Sequence, residues 1–412
     1  MLKKQHLPPN IARLMLCVLC SSLLTGCWDR IEVEDRAVVL AMAIDPVKDD
    51  EQFQDEEVTH ERGQEPRGGK IRVTMQIAVP GRLPLGPSDG GGQGGAGETK
   101  PVWVLTTEAY SLDDAFANMQ QQVADQLFFG HLRVIVISEK LARRGLQDIN
   151  ETLRRQPEVR RTAWMLVTKE DPGRLMKISP QLERVPALYL YDMVDHGVLY
   201  GKLPRANLGI FWRSVSAPGQ EGYVPMVESR KQEDVFTSGL AYFRGNRMVG
   251  KTEPFQIPLF MEVIGVENAG YSTLFPLPGK RGWVAYQGTS RRTEIQTFIR
   301  NGKPRIRVKI QVEGNLHEKI RDPRGNFDQE TIRKLERIIA RDLQMKVQDL
   351  IHETQQKGSD IFAFGEYVRS EYPDFWRRNV EPHRKGWERW FRKLPVDIQV
   401  RAKLRRIGSE AK

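Results

Sequence analysis

Cysteine is nearly absent from this 412-residue chain: its three cysteines are Cys17, Cys20 and Cys27, and none follows. The chain beyond residue 27 therefore offers no thiol for a disulfide, a metal site or a nucleophile. Other catalytic and metal-binding patterns are missing as well. The seven histidines show no metal-ligand spacing, and no G-x-S-x-G nucleophile elbow is present. We therefore predict a protein that is not an enzyme and holds no metal or other cofactor.

Long apolar runs are also missing, apart from "LMLCVLCSSLL" at residues 14–24. A membrane helix needs roughly 20 apolar residues, so this run is too short to span a bilayer. The positive residues before it and the small residues after it are typical of an export signal. We predict that residues 1–26 are a signal peptide, which is removed together with Cys17 and Cys20.

The predicted signal ends in a short motif. Leu24-Thr25-Gly26-Cys27 resembles the bacterial lipobox. The resemblance implies cleavage before the cysteine, a diacylglycerol on its thiol and an acyl chain on its new amino group. Two or more acyl chains hold a protein stably on a membrane, whereas one chain is marginal. We therefore predict that Cys27 is an S-diacylglycerol and N-acyl cysteine at the extracytoplasmic face. The alternative is an ordinary secretory signal with a chance cysteine.

The formal net charge is +10, from 63 Lys and Arg against 53 Asp and Glu. Basic chains often bind nucleic acid, but an exported lipoprotein does not normally meet any. An anionic membrane surface or an acidic partner is the better use of the positive charge. We therefore predict that nucleic acid is not a partner of this chain.

Apolar residues follow two periods along the chain. Strict alternation predicts strands such as residues 69–80 and 395–406, and an apolar stripe at spacings of three and four predicts a helix over residues 328–356. Residues 48–69 and 86–100 are rich in charge or glycine and predict flexible insertions. The pattern indicates an α+β, multi-domain fold of two to three domains, with mixed sheets packed with helices. Its C-terminal domain is expected to pack an amphipathic sheet against the long helix.

The predicted organisation has three parts. Residues 1–26 are the signal peptide, and residues 27–200 are an N-terminal α/β-type domain that carries both insertions. Residues 201–412 are a C-terminal α+β part, which a boundary near residue 290 would divide if it forms two domains. The change from mixed strand-like and helix-like patterns to a strand-rich texture places the first boundary near residue 200.

One motif points to a different function. Residues 245–252, "GNRMVGKT", match the phosphate-binding pattern G-x-x-x-x-G-K-[ST]. A two-residue turn at Gly245-Asn246 explains the same letters as a hairpin. In that hairpin Tyr242 would pair with Val249 across the ladder.

A phosphate loop also needs a helix directly after the motif, so that backbone N–H groups face the phosphates. Pro258 falls where that helix should run and is expected to break it. An exported protein is also separated from the cytoplasmic nucleotide pool. We therefore interpret the motif as a chance match and predict that no nucleotide is bound by Gly245, Gly250, Lys251 and Thr252.

The C-terminal tail places cations beside large aromatic residues. On the last predicted strand, Arg401, Lys403 and Arg405 alternate with apolar residues and form a basic, solvated face. These three residues are a candidate docking face for a partner or a membrane surface. Large aromatic side chains are usually buried, so the preferred explanation of the neighbouring aromatics is that they anchor the C-terminal core. They are Trp376, Trp387, Trp390 and Phe391.

Several segments together resemble one protein family, and they occur in the family's order. They include "GCWDRIEVEDRAVVLAMAIDP", "VTMQIAVPG", "LFFGHLRVIVISEKLARRGLQDINETLRRQPEVRR", "SGLAYFRGNRMVG" and "DIFAFGEYVRSEYPDFWRR". This set resembles the Ger(x)C spore germination lipoproteins, the C subunits of nutrient germinant receptors, over nearly the whole chain. The resemblance implies a multi-domain α+β fold and a non-enzymatic subunit on the outer leaflet of the spore inner membrane. It also implies assembly with two polytopic membrane subunits, and a role in assembly or signalling.

Two other functions remain as alternatives. A solute-binding lipoprotein of an importer would share the lipobox but should show two similar α/β lobes around a cleft, and the two halves of this chain look unlike each other. An envelope hydrolase lacks a catalytic constellation here. His131 matches a histidine common in the Ger(x)C family, and we expect it to have a hydrogen-bonded structural role.

Overall fold

The structure is a computed structural model that describes residue 10 and residues 36–47, 69–79, 101–178, 183–230, 234–278, 282–320, 328–383 and 386–407. Residues 1–36 form one unit and residues 37–412 another, and the architecture below is that of the second unit. The predicted signal peptide, Cys27 and both predicted insertions lie outside the described residues, except at positions 10 and 69.

Nine described strands form the first sheet: β1 (Arg36–Pro46), β2 (Ile71–Ala78), β3 (Val102–Ala109), β4 (Gln126–Phe128), β5 (Val134–Ser138), β6 (Trp164–Thr168), β7 (Tyr223–Arg230), β8 (Asp234–Arg244) and β9 (Arg247–Lys251). Their order is β3-β2-β1-β5-β6-β7-β8-β9, with β4 beside β1. The central strands β1, β5, β6 and β7 are parallel, and the outer ones are antiparallel. β5 and β6 are buried throughout, as expected of parallel strands covered on both faces.

Helices cover both faces of the first sheet. Alternate residues of the central strands enter two separate cores: Val134 and Val136 lie in one, and Ile135 and Ile137 in the other. The side chain of Ser111 accepts a hydrogen bond from Asp114 N, which confirms the predicted start of the first helix. The helices are α1 (Leu112–Gln120), α2 (Glu139–Arg144), α3 (Gln147–Arg155), α4 (Pro172–Leu175), α5 (Pro186–Leu199) and α6 (Leu208–Ser216).

The second sheet has four described strands: β10 (Ser272–Pro276), β11 (Trp283–Arg300), β12 (Lys303–Ile320) and β13 (Val396–Ile407), in that order. β11 and β12 form a long antiparallel hairpin, and β13 adds to β12 in parallel at the edge. Asn301 and Gly302 at the hairpin tip both have positive φ, as a two-residue turn requires. The remaining helices are α7 (Gln256–Val263), α8 (Gln329–Lys357), α9 (Phe364–Glu371), α10 (Pro373–Asn379) and α11 (Gly386–Phe391).

Helix α8 packs its apolar stripe against the inner side of this sheet, as the sequence pattern predicts. Leu335, Ile339 and Val347 are fully buried, and each such side chain stabilises the fold by about 1.5–3 kcal/mol. Gly358 ends the helix in the left-handed conformation, with φ of +69°. The two mixed sheets packed with helices confirm the predicted α+β fold class.

The first sheet contains strands from both sides of residue 200, where the sequence pattern suggests a domain boundary. Strands β7, β8 and β9 follow residue 200 in the chain, yet they continue the sheet that β1 to β6 begin. The second sheet starts at Ser272. The division at residue 200, and a further one near residue 290, stay predictions.

Candidate docking surface

The outer face of the second sheet carries the predicted docking residues and extends well beyond them. Along β12 the apolar residues Ile306, Val308 and Ile310 are buried, so the residues between them point outward. Register continues this alternation across the sheet, since Gln311 pairs with Arg292 on one side and with Arg401 on the other. We call this surface the basic sheet face. Its residues are Arg292, Glu294, Gln296, Phe298, Arg305, Arg307, Lys309, Gln311, Glu313, Asp397, Gln399, Arg401, Lys403 and Arg405.

The three predicted docking residues share one strand face but differ in their partners. Arg405 donates two hydrogen bonds to the Glu313 carboxylate, at 2.8 and 2.6 Å, and this contact lowers the pKa of Glu313. Arg401 and Lys403 are exposed and form no ion pair within the described residues. Arg405 is therefore committed to a neighbour, whereas the other two are available to a partner.

The sequence pattern assigns docking to one strand, but neighbouring strands contribute cations as well. Arg292 on β11 and Arg305 on β12 are exposed and form no ion pair in the described part of the chain. Phe298, directly opposite Arg305, is 38% exposed, and the Arg307 guanidinium lies 5.4 Å from its ring centre. The alternation of "RTEIQTFIR" is weaker than that of β12, which is why sequence reasoning did not join these residues to the face.

The edge of the sheet at β13 is partly covered by α8. The Glu336 side chain on the helix accepts a hydrogen bond from Leu404 N at 3.0 Å. Covering and charging an edge strand discourages pairing with another strand. The face of the sheet, and not its edge, is therefore the surface that a partner can reach.

The motif at residues 245–252 lies on the β8–β9 hairpin, and each of its key residues has a structural contact. Gly245 adopts a φ of +57° at the turn. A side chain at Gly250 would overlap the ring of Tyr242. Lys251 Nζ lies 3.7 Å from Glu139, and Thr252 Oγ1 accepts from Leu240 N at 2.9 Å.

Two details of the hairpin differ from the sequence predictions. Tyr242 pairs with Gly250 and not with Val249, because a β-bulge shifts the register next to Phe243. A helix does follow the motif: Pro258 is the third residue of α7, where its missing N–H would have no intrahelical partner. The absence of nucleotide binding stays a prediction, supported by the antiparallel strand that continues the motif.

The aromatic tail is packed inside the protein. Trp376 is 1% exposed and its ring centre lies 5.6 Å from that of Trp387, while Phe391 is fully buried. Trp390 is half-buried against Phe375, with ring centres 5.4 Å apart. These contacts confirm that the tail aromatics anchor the C-terminal core.

Two buried acids, which sequence reasoning missed, join this tail to the β8–β9 hairpin. Asp360 accepts hydrogen bonds from Gly365 N at 2.9 Å and from the Trp387 indole at 2.7 Å. Glu221 accepts from Gly245 N at 2.6 Å, and its own N–H donates to the Asp360 carbonyl at 2.9 Å. Burial raises the pKa of both carboxyl groups to about 7.

The raised pKa of Glu221 predicts a pH effect on stability. Below its ordinary pKa of 4.5 the protonated group favours the folded state, and this contribution is lost as the pH rises to about 7. We expect the free energy of unfolding of the wild type to fall by up to about 1.4 kcal/mol per pH unit more than that of Glu221→Gln across this window. Urea unfolding at pH 5, 6 and 7 measures the difference. The exposed Glu151→Gln is the control, and equal slopes in wild type and Glu221→Gln would refute the prediction.

His131 lies just before β5, and its ring contacts Phe128 with ring centres 5.9 Å apart. Partial burial of the ring, together with Arg160 and Arg133, lowers the pKa of His131. The neutral imidazole is therefore favoured at pH 7. The hydrogen-bonded role expected for it stays a prediction, while the ring contact is a packing role.

Two other kinds of site were searched for in the described residues. No group of three or more His, Cys, Asp or Glu side chains there is arranged to hold a metal ion. Within the same part of the chain, no helix combines the length and apolar character needed to cross a membrane.

Comparison with known sequences decides the family. Residues 29–229 match the sequence model of the spore germination protein N-terminal domain, and residues 238–408 match the spore germination B3/GerAC-like C-terminal domain. The chain belongs to the Ger(x)C family of spore germination proteins. The gap between the two matched regions coincides with the β7–β8 turn, since β7 ends at Arg230 and β8 begins at Asp234.

Ger(x)C relatives match along almost the full length. Spore germination protein KC of Bacillus subtilis is 25% identical over 414 residues, covering 96% of this chain and 95% of the relative. Spore germination protein GerQC of Bacillus cereus is 25% identical over 317 residues, covering 76% and 84%. The crystal structure of the GerBC protein aligns with a TM-score of 0.53 at 18% identity, over 83% of this chain and 95% of that chain. At this identity the structural match establishes the fold alone.

Proposed function

We propose that this chain is a non-catalytic, lipid-anchored subunit of a spore germinant receptor and acts in nutrient-triggered germination through assembly or signalling. Membership of the Ger(x)C family supports the role in germination. The lipobox ending at Cys27 supports an anchor in the cell or spore inner membrane, with the folded part on the extracytoplasmic face. Two polytopic membrane subunits are the proposed partners.

The observation that carries the contact role is the basic sheet face. Four of its cations, Arg292, Arg305, Arg401 and Lys403, are exposed on one rigid surface without an ion pair in the described residues. Surfaces of one sign steer association with a surface of opposite charge and fix its register. We infer that the face meets acidic extracytoplasmic segments of a membrane-spanning subunit.

Coupling by contact has an energetic requirement. If this subunit transmits nutrient binding, its contacts must be stronger in one state of the receptor than in the other, by about 1–3 kcal/mol. A few charge-assisted hydrogen bonds, made in one state and broken in the other, supply a difference of that size. No covalent chemistry on the chain is needed for this role.

The alternative, a solute-binding lipoprotein of an importer, has less support. Such a protein should have two similar lobes around a ligand cleft. Here the first sheet has nine strands with a parallel centre, and the second has four strands with a long antiparallel hairpin. The two sheets therefore do not form a pair of similar lobes.

Charge reversal on the basic sheet face tests the contact role. In the double variant Arg401→Glu and Lys403→Glu, we expect co-purification of the membrane-spanning subunits to fall about tenfold, because like charges across an interface cost several kcal/mol. Nutrient-triggered germination should fall with it. The measurement is the yield of the partner subunits with the tagged, anchored chain.

The matched control reverses the same amount of charge on α8. Arg333→Glu and Arg341→Glu lie on the exposed side of that helix, away from the basic sheet face, and should leave co-purification unchanged. Unchanged partner yield and unchanged germination in the Arg401 and Lys403 double variant would remove the basic sheet face from the proposed function.

A further inference from the structure

A cavity of about 140 Å³ lies between α7, α8 and the inner side of the second sheet. Its walls are largely apolar and aromatic, and include Leu259, Tyr271, Phe275, Tyr286 and Leu343. An apolar cavity of about 150 Å³ accommodates a molecule the size of benzene. The cavity therefore has room for a small organic molecule.

Two charged side chains line this cavity and are more than nine-tenths buried. Glu262 is 8% exposed, and its Oε2 atom has no hydrogen-bond partner in the described residues. Arg291 is 4% exposed and donates from Nη1 to the Pro258 carbonyl at 3.1 Å, and from Nη2 to the carbonyls of Gly201 at 3.3 Å and Asn268 at 2.5 Å. Its Nε atom is left without a partner. The cavity thus contains one unsatisfied acceptor and one unsatisfied donor.

The two charges are close enough to influence each other but do not pair. No N–O distance between Glu262 and Arg291 falls within the 4.0 Å limit of an ion pair in the described residues. Burial raises the pKa of Glu262 to about 7, while Arg291 acts in the opposite direction. A buried polar group without a partner costs about 1–3 kcal/mol, so both atoms gain from a ligand that reaches them.

Charge balance selects the class of ligand. A simple amine would satisfy Glu262 but leave Arg291 uncompensated in an apolar cavity, and a simple carboxylate would do the reverse. A molecule with both groups satisfies both atoms and adds no net charge. An apolar body between Leu259, Phe275 and Leu343 would then remove further surface from water.

We propose that this cavity binds a small zwitterion with an apolar side chain. Its ammonium group donates to Glu262 Oε2, its carboxylate accepts from Arg291 Nε, and its side chain contacts the apolar wall. α-Amino acids with small aliphatic side chains are the simplest molecules of this class. The site is independent of the basic sheet face, because Glu262 and Arg291 lie on the inner side of the second sheet.

Calorimetric titration of the purified full chain in detergent tests the ligand class. Alanine, valine and leucine share the zwitterionic group and differ in apolar volume, while isobutylamine and isobutyrate each retain one charge of valine. We expect saturable binding of at least one amino acid, and at least tenfold weaker binding of both single-charge analogues. Binding of isobutylamine as tight as that of valine would overturn the zwitterion assignment. The absence of saturable binding for all three amino acids at millimolar concentration would overturn the site.

Variants locate the binding in the cavity. Glu262→Gln keeps the size of the side chain and should weaken binding at least tenfold, and Ala269→Phe should abolish it by filling the space. Glu267→Gln, on an exposed residue of the neighbouring loop, is the matched control and should bind like the wild type. Circular dichroism verifies that each variant is folded. Unchanged binding in folded Glu262→Gln and Ala269→Phe would place the ligand elsewhere and refute the proposal.

Discussion

Replacing Cys27 with Ala should release the protein from the membrane and abolish its contribution to nutrient germination. Each buried CH₂ of an acyl chain contributes about 0.8 kcal/mol to membrane binding, and two or more chains make attachment stable. Without the thiol no diacylglycerol is attached, and the described part of the chain contains no helix that could span a membrane in its place. Fractionation after a high-salt wash should show at least a tenfold shift of the variant from the membrane pellet to the supernatant.

The matched control is another cysteine of the same segment. Cys20→Ala lies within the predicted signal peptide and should leave both attachment and germination intact. Fractionation in cells that lack the two membrane-spanning subunits separates the anchor from docking, since docking cannot then retain the chain. Retention of Cys27→Ala in the washed pellet of those cells would show that Cys27 is not the anchor.

Replacing Asp360 with Ala should destabilise the fold by roughly 3–5 kcal/mol, because three buried donors lose their acceptor. Those donors are the N–H groups of Phe364 and Gly365, which open α9, and the indole N–H of Trp387. Ala363 precedes the helix with a φ of +62°, a left-handed conformation that alanine rarely adopts. The Asp360 hydrogen bonds help to hold that strained residue.

Chemical denaturation at pH 7 measures the effect. Asp374→Ala is the control, since Asp374 is an exposed acid in the first turn of α10 whose ion pair with Arg377 is worth about 0.2–1 kcal/mol. Asp360→Asn retains one acceptor oxygen and should fall between the wild type and Asp360→Ala. A loss below about 1 kcal/mol in Asp360→Ala would mean that the surrounding donors find other partners.

Elements with strong local patterns were predictable from the sequence. α8 carries an apolar stripe over its whole length and ends at Gly358, and β13 alternates without interruption. Their packing follows from those patterns, because an amphipathic helix and an amphipathic sheet bury their apolar sides together. The candidate docking residues on β13 were found for the same reason.

Features that depend on distant partners were not predictable. Asp360 looks like any surface acid in sequence, and its burial requires Trp387 and Gly365 to fold around it. Glu262 and Arg291 are likewise brought to one cavity by the packing of α7 against β11. The bulge that pairs Tyr242 with Gly250 results from ring packing that no local rule encodes.

The β7–β8 ladder has a consequence for how this family can be recombined. β7 lies in the matched N-terminal region and most of β8 in the C-terminal one, yet the two strands are joined from Tyr223–Tyr242 to Arg230–Asp234. The two regions that sequence comparison separates are thus parts of one hydrogen-bonded object. A chimera that takes each region from a different relative must preserve this seam, so the natural unit of exchange between receptors is the whole subunit.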